Sequence, residues 1–122
     1  SAVGDVPFNI FRRFCCSSRI NLNITRQAHA TVFASSSMRP FELAAMGCCI
    51  VSNPYAGLET WFDIGSELRV VETAGEAVDC YASLLNDEGA RKAMGEAARN
   101  RVLRDHTHRQ RAEQIARFVA SV

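Results

Sequence analysis

Between Pro40 and Ser52 the chain changes its period, and that change restricts the fold more than any other feature. Pro40 opens a helical stretch that stops at Gly47, and the apolar run Cys49-Ile50-Val51 follows almost at once. Proline suits the first helical turn, where its missing N–H has no partner to lose, and glycine suits the left-handed position that closes a helix. A strand that is apolar on both faces fits a parallel sheet covered by helices on each side.

The flanking segments fit the same plan. Asp5 and Pro7 open a helix with Phe8, Phe11, Phe14 and Cys15 on one side and Asn9, Arg12 and Arg13 on the other. Ile20-Asn21-Leu22-Asn23-Ile24 alternates apolar and polar residues, the pattern of a strand with one buried face. Residues 25 to 37 have no clear period and read as a loop, with a short extended piece at Thr31-Val32-Phe33. Asn53-Pro54 turns the chain, Gly57 to Phe62 reads as a short helix, and Leu68 to Glu72 as the third strand.

Thr73 with Glu76, and Thr107 with Gln110, have the spacing of helix capping boxes. The first opens a helix with a stripe of Ala77, Cys80, Tyr81, Leu84 and Leu85. Asn86-Asp87 breaks and restarts it, and the next helix runs to about Arg104 with Ala90, Ala93, Met94, Ala97, Ala98 and Val102 inward. The last carries Ala112, Ile115, Ala116, Val119 and Val122. Strands alternating with helices predict an α/β layered domain, a small parallel sheet of three to four strands joined by right-handed crossovers. With no internal repeat and no linker, residues 1–122 read as one unit.

Composition narrows the functions. The 122 residues are 48% apolar and 22% charged, and 14 basic against 13 acidic residues leave a formal charge of +1. Such a balance gives no net field for nucleic acid, so any basic site is local. No apolar run reaches the roughly 20 residues of a membrane span, and the start of the chain lacks the order of a signal peptide, which predicts a cytoplasmic protein. The five cysteines, at 15, 16, 48, 49 and 80, match no zinc-site spacing and read as reduced, packed thiols.

Ligands of open parallel sheets bind beyond the carboxyl ends of the strands, and the loop from Thr25 to Arg39 leaves such an end. Ser35-Ser36-Ser37 and Arg39 stand at the following helix start, with Glu42 in its first turn. Arg39 can grip a phosphate bidentately beside the amides of Ser37 and Met38, and Arg26, just after the first strand, is a second cation for it. Structural alternatives remain open: Arg39 can pair with Glu42 across one turn, and Glu42 can simply favour the helix dipole. His106 and His108, far along the sequence from the loop, read as structural or solvent-facing, and His29 is the histidine closest to the expected site.

The run Arg39-Pro-Phe-Glu-Leu-Ala-Ala-Met-Gly-Cys-Cys-Ile-Val-Ser resembles the donor-binding segment of the two-domain, Rossmann-like (GT-B) glycosyltransferases of group 1, especially the spore-maturation-type bacterial members. Leu22 to Arg26, Gly57-Leu58-Glu59 with Phe62, Gly65 and Glu67, and Gly95 with His106-Thr107 and Arg109 to Arg111 extend the likeness over residues 4 to 117. It implies a partial Rossmann-like domain that binds a nucleotide-sugar and works with an acceptor-binding domain preceding it. Sugar transfer would then need no metal and no cofactor, since the chain has no Asp-x-Asp motif.

Within that resemblance Glu42 matches the glutamate whose carboxylate accepts from the ribose hydroxyls. The family's earlier glutamate falls at Ala34, and its loop glycines at Ser35 and Ser37. The implied donor-binding set is Arg26, Ser37, Met38, Arg39 and Glu42, with no catalytic base named in this chain. The alternative is a non-catalytic α/β binding or interaction module. A sheet cut from a larger one exposes an edge strand, which predicts self-association through the Ile20 to Ile24 strand.

Overall fold

The computed structural model describes residues 7–24 and 38–122. In chain order the elements are α1 (Phe8–Ser17), β1 (Asn21–Asn23), α2 (Arg39–Ala45), β2 (Ile50–Ser52), a 3-10 turn (Leu58–Thr60), β3 (Arg69–Val70), α3 (Ala74–Leu85), α4 (Glu88–Asp105) and α5 (His108–Ala120). The three strands form one parallel sheet in the order β1-β2-β3, flanked by helices as the sequence predicts. Arg26, Ser37, His29, Ala34 and the Thr31 to Phe33 piece lie outside the described residues.

β2 occupies the centre and divides the core. Ile50 packs on one face with Cys15, Leu43, Phe62 and Ala98. Cys49 and Val51 point to the other, against Leu84 and Met94. That alternation is the period-2 geometry of a strand, and both faces are dry, as a central parallel strand requires.

The turn that delivers β2 is a Schellman closure. Gly47, at φ 74°, sits two residues past the end of α2; its N–H donates to the Ala44 carbonyl at 2.9 Å, and the Cys48 N–H donates to Leu43 at 3.1 Å. Only glycine takes that φ without a steric penalty. A second glycine meets it: a Cβ on Gly95 would lie 2.1 Å from the Gly47 carbonyl oxygen. This crossing lets α4 pass over the α2–β2 turn, so Met94 reaches one core face while Ala98 and Val102 reach the other. Arg99 Nε adds a bond to the Ala45 carbonyl at 3.3 Å.

The helix starts follow their caps. Thr73 accepts from the Glu76 N–H, Asp87 from the Ala90 N–H, and Thr107 with Gln110 forms the full reciprocal box. Each cap satisfies amides that the first turn leaves without partners.

Several predicted faces are corrected. β1 buries its asparagines and exposes its aliphatics: Asn21 is 8% and Asn23 3% exposed, against 46% for Leu22 and 68% for Ile24. The buried amides are matched, since Asn21 Nδ2 donates to the Cys15 carbonyl at 3.1 Å and Asn23 Nδ2 to Ser52 Oγ at 3.2 Å. A buried amide with partners is tolerated, and those partners set which face of β1 turns inward. On α1 only Cys15 is buried, with Phe8 and Phe14 exposed; on α3 Leu85 is exposed; on α4 Ala93 is exposed and Gly95 buried. The stripe of α5 is exposed throughout.

Candidate functional site

Seven residues of α2 carry most of the expected site. Met38 is its N-cap and provides no side-chain cap, Pro40 is buried in the first turn, and Glu42 sits in the same turn with its N–H bonded to the Met38 carbonyl at 3.0 Å. Pro40 and Leu43 turn inward, so the remaining side chains splay to either side.

Arg39 leans toward α1. Its guanidinium lies over the Phe11 ring, 5.7 Å from the centroid, and it borders a shallow cleft with Phe11, Ser18, Leu22 and Leu43. An arginine on an aromatic face keeps its charge and its planar fork, the geometry that suits phosphate. Met38 and Glu42 border a different cleft, of about 380 Å³, with Phe41, His106, Thr107 and Arg111. Glu42 is half-buried there and Arg39 is exposed on its own side. The two residues that the sequence reading places on one nucleotide, Arg39 at the phosphates and Glu42 at the ribose, thus open onto neighbouring depressions.

The wall of the larger cleft contains residues that sequence distance concealed. His106, the C-cap of α4, packs its ring against Phe41, Trp61 and Phe62 with centroids 5.3, 5.7 and 5.8 Å away. Its Nε2 lies 2.6 Å from the Trp61 carbonyl oxygen and its Nδ1 2.6 Å from an Arg111 guanidinium nitrogen. A carbonyl can only accept and a guanidinium can only donate, so Nε2 carries the proton, Nδ1 accepts, and the ring is neutral. Burial, helped by the Arg111 and Arg101 cations and opposed by the Trp61 carbonyl, holds its pKa below the usual histidine value.

Arg111 completes the wall by stacking 5.1 Å over Trp61 and donating to the Asp105 carbonyl at 3.2 Å. The Thr107–Gln110 box marked this helix start in the sequence, but nothing in it placed His106 beside Glu42. Chemically the cleft offers one carboxylate to accept from hydroxyls, an aromatic floor and a fixed cation. Among the described residues no group of three or more His, Cys, Asp or Glu could hold a metal. No helix among them is long and apolar enough to cross a membrane.

Layers, strand order and helix placement define a Rossmann-like α/β domain. The chain belongs to the family described as "Glycosyl transferase-like", whose profile matches residues 1–117. Among solved structures it is similar to sucrose-phosphate synthase from Thermosynechococcus elongatus, with a TM-score of 0.79 at 14% identity. That likeness, which shows the fold, covers 98% of this chain but 29% of the synthase. No curated protein matches the sequence.

Proposed function

We propose that this chain is the donor-binding part of a glycosyltransferase of the spore-maturation type, holding a nucleotide-sugar whose sugar passes to an acceptor bound by a preceding domain. The observation that carries the reading is that the family match spans α2, where an exposed arginine and a half-buried glutamate flank open clefts at the helix start. Glu42 accepts from the ribose hydroxyls. Arg39 holds the diphosphate, with Met38 and, outside the described residues, Ser37 and Arg26 completing the set.

Transfer breaks the bond from the sugar's anomeric carbon to a phosphate oxygen as an acceptor hydroxyl attacks that carbon, and negative charge builds on the leaving diphosphate. A cation already in place stabilises that charge more in the transition state than in the ground state. On this reading the transfer is metal-independent, no residue of this chain is the base, and the protein works in the bacterial cytoplasm. Among the described residues β1 pairs on one side only, with β2; its other edge is where a larger sheet would continue, and where a second copy would pair when it does not.

Calorimetric titration with uridine, guanosine and adenosine diphosphates tests the proposal. One of them binds, Arg39→Ala weakens it about tenfold or more, and Glu42→Gln weakens it severalfold, the scale of a lost charge-assisted hydrogen bond. Binding to none of the three, or binding unchanged in both variants, overturns it. The divergence of Arg39 and Glu42 favours the rival reading, a non-catalytic module, and the same titration decides between them.

A further inference from the structure

A third cleft, unrelated to α2's first turn, lies between the end of α1 and the turn into β2. It encloses about 250 Å³, and Cys15, Cys16, Cys48, Arg19, Arg91 and Lys92 border it. The carboxylate on its rim, Glu88, is already paired with Lys92 at 3.2 Å. The cleft therefore presents thiols in a cationic setting.

The adjacent cysteines of α1 point in different directions. Cys15 is buried at 3% exposure, while Cys16, in the last helical turn, is exposed. Cys48 is buried at 6%, its Sγ 3.7 Å from the Cys15 carbonyl, whose carbon is bonded to the backbone nitrogen of Cys16, and it borders the same cleft as Cys16. Cys49 turns to the opposite core face, its Sγ 3.9 Å from Met94 Sδ. One accessible thiol and one sheltered thiol thus share a cleft at the seam between two elements.

We infer that Cys16 and Cys48 form a reversible redox pair, in which Cys16 is thiolated by an anionic low-molecular-weight disulfide and Cys48 resolves the adduct into a Cys16–Cys48 bridge. In the first step the Cys16 thiolate attacks one sulfur of the small disulfide, whose S–S bond breaks and releases one thiolate. Cys48 then loses its proton to solvent and attacks Cys16 Sγ; the mixed disulfide breaks and the second small thiolate leaves. The balance is two protein thiols oxidised to one disulfide and one small disulfide reduced to two thiols.

The setting orders the steps. The cations draw the anionic disulfide to the exposed thiol. Desolvation, reinforced by the neighbouring Cys16 and Cys15 thiols, pushes Cys48 up to about 12, so it keeps its proton at neutral pH and is the slower partner. Resolution therefore accelerates as pH rises. The bridge would tie α1 to the α2–β2 turn and restrict the unfolded chain between positions 16 and 48.

Oxidised glutathione, incubated with the 122-residue chain at about pH 8, is the probe, read by intact mass and thermal melting. The expected product is lighter than the reduced protein by about 2 Da, melts roughly 5–15 °C higher, and returns to the starting mass on reduction. Cys16→Ser, at an exposed position, abolishes the mass loss and the melting shift. Cys48→Ala accumulates the unresolved glutathione adduct; should that variant fail to fold, Cys16→Ser alone still decides. No mass loss in the parent, a wild-type adduct that never resolves, or a bridge that survives Cys16→Ser overturns the inference.

Discussion

α4 and α5 follow one another in the chain, and each begins at a side-chain cap and carries an apolar stripe. Yet α4 buries Met94, Gly95, Ala98 and Val102, whereas α5 buries nothing and leaves Ile115, Phe118 and Val119 about two-thirds exposed. The difference teaches that caps fix where a helix begins, while a partner surface decides whether its stripe contributes to stability. α4 has its partner because two glycines let it pass the α2–β2 turn. α5 is joined to the body through Arg111, His106 and its capping box, all at its first turns.

The comparison can be broken from the α4 side first. Met94→Ala removes a buried side chain from the smaller core cluster, and a loss of about 2–5 kcal/mol is expected in urea unfolding. A loss under about 1 kcal/mol would mean that α4 is no better anchored than α5.

A smaller effect comes from the joint between the helices. Because the folded state holds His106 below the ordinary histidine pKa of about 6.5, the unfolded chain takes up a proton first as pH falls. The stabilisation is therefore complete above about pH 6.5 and is lost on acidification until the folded His106 is itself protonated. Below its pKa the added Nδ1 proton faces the Arg111 guanidinium, with Arg101 adding repulsion and Asp105 opposing it. Trp61, the chain's single tryptophan, touches both residues, so its fluorescence follows the transition directly. His106→Gln should flatten this part of the pH profile, and an unchanged profile would remove the histidine from the joint.

The smallest effect sharpens the α5 side. Phe118→Ser removes an aromatic that is 70% exposed, and the stability change should stay within about 0.5 kcal/mol. A larger loss would show that the α5 stripe is covered in solution.

The layered α/β order was legible because it is written in local periods: a two-faced apolar run at β2, stops at Gly47, and caps at Thr73, Asp87 and Thr107. The family resemblance was legible for a related reason, since its residues cluster around α2 and the α5 start. β1 was not, because alternation gives two faces without saying which is inward; the acceptors at Cys15 and Ser52 made that choice. The role of Gly95 also escaped, since a glycine inside a helical pattern shows its purpose only when another backbone lies against it. In the candidate site, Arg39 could be named from its place at the helix start and Glu42 from the family resemblance, but their separate clefts depend on how α1, α4 and α5 pack around α2.

By itself the sequence determined what short-range chemistry enforces: which segments become helix or strand, where each helix opens, and the left-handed turn at Gly47. Tertiary structure alone decided that asparagines face inward on β1, that His106 meets Glu42's cleft, that Cys16 and Cys48 border one cleft, and that α5 keeps its stripe in the open. The reason is physical. Backbone and capping energies act over a few residues, whereas burial depends on surfaces brought together from distant parts of the chain.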